Sequence, residues 1–426
     1  MSIQNELREL VNASVITEDD ALRISTWYQS AKTPPHKRLL IIFGVLGAIL
    51  VGLGIILVIA HNWDQFPKNL KVVFAFLPLV IGQVLTAYSL LGGNSNQTLK
   101  ESSAAFLFFA VGASISLVSQ VYNIPGNTGD YLLAWMLLCL PVIYVLNSSI
   151  ASLLFIAGIT FYAIYTGHDH SFANPPDWYY WIMLAGIIPH YYRLHNLNPK
   201  SNFLFFHNWM IVLSLIICLG TVDTNINALT TLSYICMFSF LSVIGNTPFI
   251  RQQKAASNAW KILGPAGSIV MLSLLSFNDY WKWVIWQHAV NFSDIITSQV
   301  FYAGVIFALI SLYLLGRQNF KNSNAFEWIF IPYYFIFIFS ISFPVVGPVF
   351  VNILLLALGI LTIYNGARKD HLGIVNFGLL IIAILAACRF FDSNISFVLR
   401  GIMFIAVGAG FFACNYFMLK KRRTNE

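Results

Sequence analysis

The sequence predicts an all-α integral membrane protein, a polytopic helical bundle of about fourteen transmembrane helices with both termini in the cytoplasm. Three observations carry that prediction. The 426 residues are 58% hydrophobic and only 10% charged, against about 25% charged in soluble domains. The apolar residues come in runs close to the ~20 residues that cross a bilayer as a helix. The basic residues fall in alternate gaps between runs rather than in every gap. No soluble core hides apolar surface on this scale. Lipid removes the need to hide it and leaves the helix as a way to satisfy every backbone group.

Residues 1–38 form the one sizeable polar segment and are expected to be a small cytoplasmic helical head. "SIQNELREL" and "TEDDALRISTWYQS" read as two short helices. Thr17 is placed to cap the second, with Glu18, Asp19 and Asp20 in the first turn, where the helix dipole favours anions. Ala21, Ile24, Trp27 and Tyr28 recur at helical spacing and make one apolar face. That face suits the membrane surface, or docking of a cytoplasmic protein partner. "TPPHKR" then ends the helix and leads into the bilayer.

From Leu39 the apolar runs follow at 39–60, 70–91, 103–121, 131–146, 150–166, 178–192, 203–220, 228–245, 259–277, 299–316, 326–343, 345–364, 372–389 and 396–419. They compose a transmembrane domain over 39–420, followed by a basic cytoplasmic tail, 421–426. Asn147, Ser148 and Ser149 divide one long run at a tight turn. Pro344, Gly347 and Pro348 divide another, because proline breaks the helical ladder. "NDYWKWVIWQHAVNFSD" (278–294) is too polar to span. Its Trp281, Trp283 and Trp286 are expected among the head groups. Gly44, Ala48 and Gly52, and Ala406 and Gly410, recur every four residues and predict close helix packing in the first and last spans.

With the N-terminus inside and sides alternating, the cytoplasmic gaps collect Lys100, Arg193, Lys200, Arg251, Lys254, Lys261, Arg317, Lys321, Arg368, Lys369 and the basic tail. The other side keeps Lys68, Lys71, Lys282, Arg389 and Arg400. This is the positive-inside pattern, and an error in the span count would scramble it downstream. The same distribution accounts for the net charge of +7 without a nucleic-acid partner.

Enzyme signatures are missing: there is no Walker A, HExxH or GxSxG motif, and no GxGxxG between a strand and a helix. No cofactor is expected. Cys139, Cys218, Cys236, Cys388 and Cys414 sit inside apolar runs and read as small buried hydrophobes. His168 and His170 are at most half of a zinc site, so no metal is expected.

Polar residues concentrate instead in three outer gaps: "HNWD" (61–64), "GNTGD" (126–130) and "CRFFDSNISFVLRG" (388–401). Asp64, Asp130, Arg389, Asp392 and Arg400 are the candidate substrate- or ion-binding residues, supported by Asn62, Trp63 and Gly129. Arginines suit an anionic group such as phosphate, and the acids would set their geometry or carry a proton. Loop chemistry explains part of the pattern. Trp63 suits the interfacial aromatic belt, Pro67 the first turn of the next helix, and Asp64 its cap.

These stretches, with "LGAILVGLGIILVIAHNWDQFPKNLK", "GNTGDYLLAWMLLCLP" and "RFFDSNISFVLRGIMFIAVGAGFF", resemble the bacterial membrane-protein family known as domain of unknown function 2157. The resemblance is best over 1–145 and 350–426. It implies a multi-pass protein of the bacterial inner membrane and brings no known reaction. The family's recurrent polar positions fall on Asn62, Trp63, Asp64, Gly129, Asp130, Arg389, Asp392 and Arg400. Where the family has Ala, this chain has His61, so His61 is not among the candidates.

The expected function is transport, or handling of a lipid or small anion in the manner of a flippase, with the polar site facing outward. The alternative is a non-transporting assembly or sensory protein whose head binds a partner. A membrane-embedded transferase ranks last, for want of a positioned nucleophile or base.

Overall fold

The structure, a computed structural model, describes residues 10–31, 63–91, 97–168, 178–221, 228–253, 255–285, 298–317 and 323–390, together with a few isolated residues outside those ranges. The predicted span 39–60 and half of 396–419 lie outside the described residues. Two units divide the chain, 1–74 and 75–426.

In the first unit, helix α1 is Glu18–Ala31. Thr17 begins it as the sequence predicts: Asp20 N–H donates to Thr17 Oγ1 at 3.2 Å, and that hydroxyl donates to Asp20 Oδ2 at 2.7 Å. Later in this unit a single 3-10 turn, Trp63–Gln65, precedes helix α2, Lys68–Leu91, which continues into the second unit. The Pro67 carbonyl accepts the first helical N–H groups, from Leu70 and Lys71. Lys71 Nζ sits 5.8 Å from the Trp63 ring centroid.

The second unit continues with α3 (Gln97–Tyr122), α4 (Thr128–Leu146), α5 (Ser149–His168), α6 (Tyr179–Ala185), α7 (Ile188–Leu197), α8 (Asn202–Thr221) and α9 (Ala228–Asn246). It goes on with α10 (Ala259–Leu275), α11 (Asn278–Ile285), α12 (Gln299–Arg317), α13 (Phe330–Ser342), α14 (Gly347–Arg368) and α15 (Leu372–Phe390). No strand occurs among the described residues. Nine of these helices are long and apolar enough to cross a membrane, and α10 with α11 makes a tenth if the bent pair is one span.

Several predicted spans take another form. The run 178–192 is interrupted at Gly186–Ile187 and becomes α6 and α7. The run 326–343 spends its first residues on a 3-10 turn, Ala325–Glu327, leaving α13 only 13 residues. At ~1.5 Å per residue that is about 20 Å, short of the ~30 Å hydrocarbon core. The polar segment from 278 does turn aside: α11 is bent 94° from α10. Trp281 corrects the expectation of an interfacial indole. It is fully buried against Gly347, while Trp283 is exposed.

Contacts sort the loops of this unit to two ends. At one end, Glu101 bonds the turn 148–150, Arg193 Nη1 donates to Asn147 Oδ1, His195 stacks on Phe249, and Asn246 bonds Glu327. At the other, Gly167 lies against Thr221, Gly129 against Thr166, and Arg389 bonds Ser276. The first end carries Lys100, Arg193, Lys200, Arg251, Lys261, Arg317, Arg368 and Lys369, and the second Lys282 and Arg389.

Between the ends, α14 shows what lipid contact looks like. Val349, Ile353, Leu356, Ile360 and Tyr364 are exposed along one stripe, a patch that water would penalise and hydrocarbon does not. Helix α9 is the opposite case: every residue except Tyr234, Ile244 and Asn246 is buried. Its sequence is apolar on all faces with interspersed Ser and Thr, the pattern of a helix with no solvent or lipid side. Two of the hydroxyls are satisfied within the bundle, Ser242 Oγ on the Phe238 carbonyl at 2.9 Å and Ser233 Oγ on the Val300 carbonyl at 2.7 Å.

Glycines on α9, α10 and α12 make this packing possible. A Cβ at Gly245 would lie 2.5 Å from the Lys261 backbone nitrogen, and one at Gly304 would lie 2.5 Å from Ser233 Oγ. A Cβ at Gly316 meets nothing within 4 Å. Gly245→Ala is therefore expected to lower stability by about 1–3 kcal/mol, because backbone cannot step aside as a rotamer can. Gly316→Ala should be neutral or slightly stabilising, since Ala is the better helix former. Thermal unfolding of the two variants in detergent checks the contrast.

Candidate functional site

The residues predicted from the outer gaps fall in different settings. Asn62, Asp392 and Arg400 lie outside the described residues. Trp63 and Asp64 belong to the 3-10 turn of the first unit, where Asp64 is exposed.

Asp130 and Gly129 build the start of α4. Asn127 caps that helix by accepting from Asp130 N–H at 2.7 Å, and its amide donates to Asp130 Oδ2 at 2.8 Å. Asp130 also stands in the first turn, where a carboxylate favours the dipole. Gly129 is buried where a Cβ would press Thr166 at 3.2 Å.

Arg389, in the last turn of α15, reaches the break between α10 and α11. Its Nη2 donates to the Ser276 carbonyl at 2.9 Å and lies 3.0 Å from Ser276 Oγ. The guanidinium lies 5.1 Å from the centroid of Phe277. Asn352 Nδ2 donates to the same Ser276 carbonyl at 3.2 Å. A helix that stops inside a bundle leaves carbonyls without partners, and a cation there meets both the hydrogen-bond need and the negative end of the dipole.

A concave feature lies at the other, basic end. It is a cavity of about 1420 Å³ between α6, α7, α8, α9, α10, α12, α14 and α15. Arg251, Lys261, Arg317 and Lys369 line it, and among the described residues no Asp or Glu does. All four cations are exposed at helix ends or in the turns beside them. Deeper in, the wall is aromatic and aliphatic: Trp181, Leu184, Ile211, Leu215, Phe240 and Phe307. Phe307 packs on Phe240 at 4.9 Å and on Trp181 at 6.2 Å between centroids. Phe307 lies about 15 Å along α12 from Arg317, at ~1.5 Å per residue. The cavity thus joins a cationic mouth to an apolar depth.

Asn208 braces one wall. Fully buried, it accepts from Tyr191 OH at 2.5 Å and Trp260 Nε1 at 3.1 Å, and donates to Gln253 Oε1 at 2.5 Å and the Ser257 carbonyl at 2.8 Å. One amide side chain ties α7, α8, α10 and the 252–258 connection together, using both its donor and acceptor capacity.

Residues 8–152 match the model of a family described as predicted membrane protein, DUF2157. No curated protein and no solved structure matches the chain. The resemblance read from the N-terminal motifs is borne out over the matched stretch, and the C-terminal motifs lie beyond it. The DUF2157 stretch contains α1 to α4 and the first turn of α5. The cavity is built from later residues, 181–377.

Within the matched stretch a further acid, outside the three polar gaps, has several partners. Glu101 is buried on α3 and accepts from Gln97 Nε2 at 2.8 Å, Ser148 Oγ at 2.5 Å, Ser149 N–H at 3.0 Å and Ile150 N–H at 2.8 Å. It is an anion seated on the N-terminus of α5, and it holds the tight turn that the sequence predicts at 147–149. The signal was present, since Glu101 is the one acid on α3. Among the described residues no three His, Cys, Asp or Glu side chains are grouped to hold a metal ion. Cys139, Cys218 and Cys236 are buried free thiols and Cys388 is half-buried.

Arg389→Ala removes the charged donor from the Ser276 carbonyl. The expected cost is about 1.5–3 kcal/mol, the range for hydrogen bonds to charged groups. Lys at the same position should recover only part of it, having a point charge in place of a planar fork. Unfolding of the detergent-solubilised variants measures both.

Proposed function

We propose that this membrane protein binds a phosphate-headed amphiphile in the cavity at its basic end and acts as a carrier or flippase-type handler of that molecule. The observation that supports this reading is the cavity's division of labour. Among the described residues four cations and no carboxylate line it, and its depth is walled by Trp181, Phe240 and Phe307. Positive-inside bias would place cations at this end in any case. It does not require a cavity of about 1420 Å³ running inward between them. That volume exceeds the ~300–1,000 Å³ usual for small-molecule sites and suits a chain-bearing ligand. Basic pockets between transmembrane helices are the usual seats of anionic lipid head groups.

The partners of Asp130 and Arg389 account for both residues as parts of helix ends. This favours the cavity over the outer set as the binding end.

Dodecyl phosphate is the probe, with the protein held in a neutral maltoside detergent and binding read from the indole fluorescence of Trp181 and Trp260. Saturable binding that weakens with ionic strength is expected, because the cations are exposed and salt screens them. Replacing Arg317 and Lys369 together by Gln should weaken it about tenfold, the equivalent of ~1.4 kcal/mol. Unchanged affinity in that double variant would remove the cavity as the binding site.

A further inference from the structure

Glu327 lies one layer behind the cavity wall. It ends the 3-10 turn Ala325–Glu327, whose Asn324, Ala325 and Phe326 line the cavity while Glu327 itself is fully buried. Glu327 Oε1 accepts from Asn246 Nδ2 at 2.6 Å and from Asn324 N–H at 3.1 Å. Oε2 is also buried and has no hydrogen-bond partner. An ionised carboxylate is an acceptor at both oxygens, so the charged form leaves one of them unserved.

The charges around it come from the cavity. Lys261, at the start of α10, and Lys369, just after α14, both line the cavity and both attract the carboxylate. Arg251 acts on Lys261 from the turn Pro248–Arg251. Helix α9 contributes the neutral Asn246, and α15 contributes Phe377, whose ring lies tilted 5.9 Å from that of Phe326. Burial pushes the Glu327 carboxyl above the ordinary range, and the two asparagine hydrogen bonds and the two lysines pull it back. Two of the influences that keep Glu327 charged are therefore the same cations a bound anion would claim.

We propose that Glu327 is the cavity's internal counter-ion and exchanges with the ligand: when an anionic head group engages Lys261 and Lys369, Glu327 takes one proton from solution. The proposal rests on the cavity being the binding site. The coupling is reciprocal. Protonating Glu327 frees the lysines for the anion, and binding the anion favours protonation. A carrier built this way moves its anion together with a proton.

The test uses the full chain in maltoside micelles with dodecyl phosphate, and inorganic phosphate in parallel. In the wild type, affinity should fall as pH rises and Glu327 ionises. Glu327→Gln, which keeps an acceptor for Asn246 and carries no charge, should hold its affinity and bind about tenfold more tightly than wild type in alkaline solution, within the usual range of site–site coupling. The probe's own titration is common to both proteins, so their difference isolates Glu327. A second measurement needs no variant: infrared difference spectra of the wild type should gain a protonated-carboxyl band when dodecyl phosphate binds. The same band on adding inorganic phosphate alone supports the exchange and identifies a free anion as the ligand. A need for the alkyl chain supports it with a lipid head. Equal pH profiles in wild type and Glu327→Gln, with no carboxyl band, overturn the exchange and leave the cavity standing. No binding of either probe to either protein overturns the cavity reading, and the exchange with it.

Discussion

A helix buried on every side governs the second unit. Helix α9 has almost no face left for lipid, so its neighbours must close around it, and closure is limited by side-chain bulk. Gly245, Gly264, Gly267 and Gly304 remove that bulk where α9 meets α10 and α12. Without a hydrophobic drive between helices in lipid, close backbone approach and dispersion are what bind them. The seams predicted at Gly44, Ala48 and Gly52 lie outside the described residues. The packing glycines of the centre are spread over three helices, so no regular spacing along one stretch announces them.

The same closure forms the cavity. Helix α9 ends at Asn246, which is at once a cavity-lining residue and the donor to Glu327. Helices α9 and α10 stay in close contact as far as Gly245 and Lys261, and beside that seam Asn208 holds α7, α8 and α10 in place by hydrogen bonds. A polar brace suits that position, because apolar side chains filling the space would remove the cavity. A fully satisfied amide network is rigid and specific.

Much of the architecture was legible because hydropathy and length answer directly to the bilayer. The starts of α1, α4 and α5, the turn at 147–149 and the aside at 278 all follow from local chemistry. Departures come where tertiary packing overrides composition. Trp281 reads as an interfacial indole, yet Gly347 leaves a slot that admits it whole. The run from 326 reads as a full span, yet its first turn is spent burying Glu327. The candidate site was harder to see. Acids stand out in the sequence where basic residues are scarce, and Glu101 and Glu327 fall on the side that the basic residues dominate. Their importance comes from burial and partners, which no spacing encodes. Arg389 stands out by its rarity on its side, and its bond to Ser276 comes only from the fold.

The two buried acids make an instructive pair. Both sit at the basic end, both are buried, and each belongs to the first turn of its helical segment or close to it. Glu101 has donors on both oxygens, including two backbone N–H groups of α5, and nothing in its surroundings would change on ligand binding. Glu327 has donors on one oxygen and depends for the rest on lysines that face open space. A carboxylate of the first kind is a fixed strut, because its charge is matched by groups that cannot leave. One of the second kind is conditional, because its counter-charges are shared with whatever enters the cavity. Burial alone does not separate them. What separates them is whether the compensating donors belong to the backbone or to side chains with somewhere else to go.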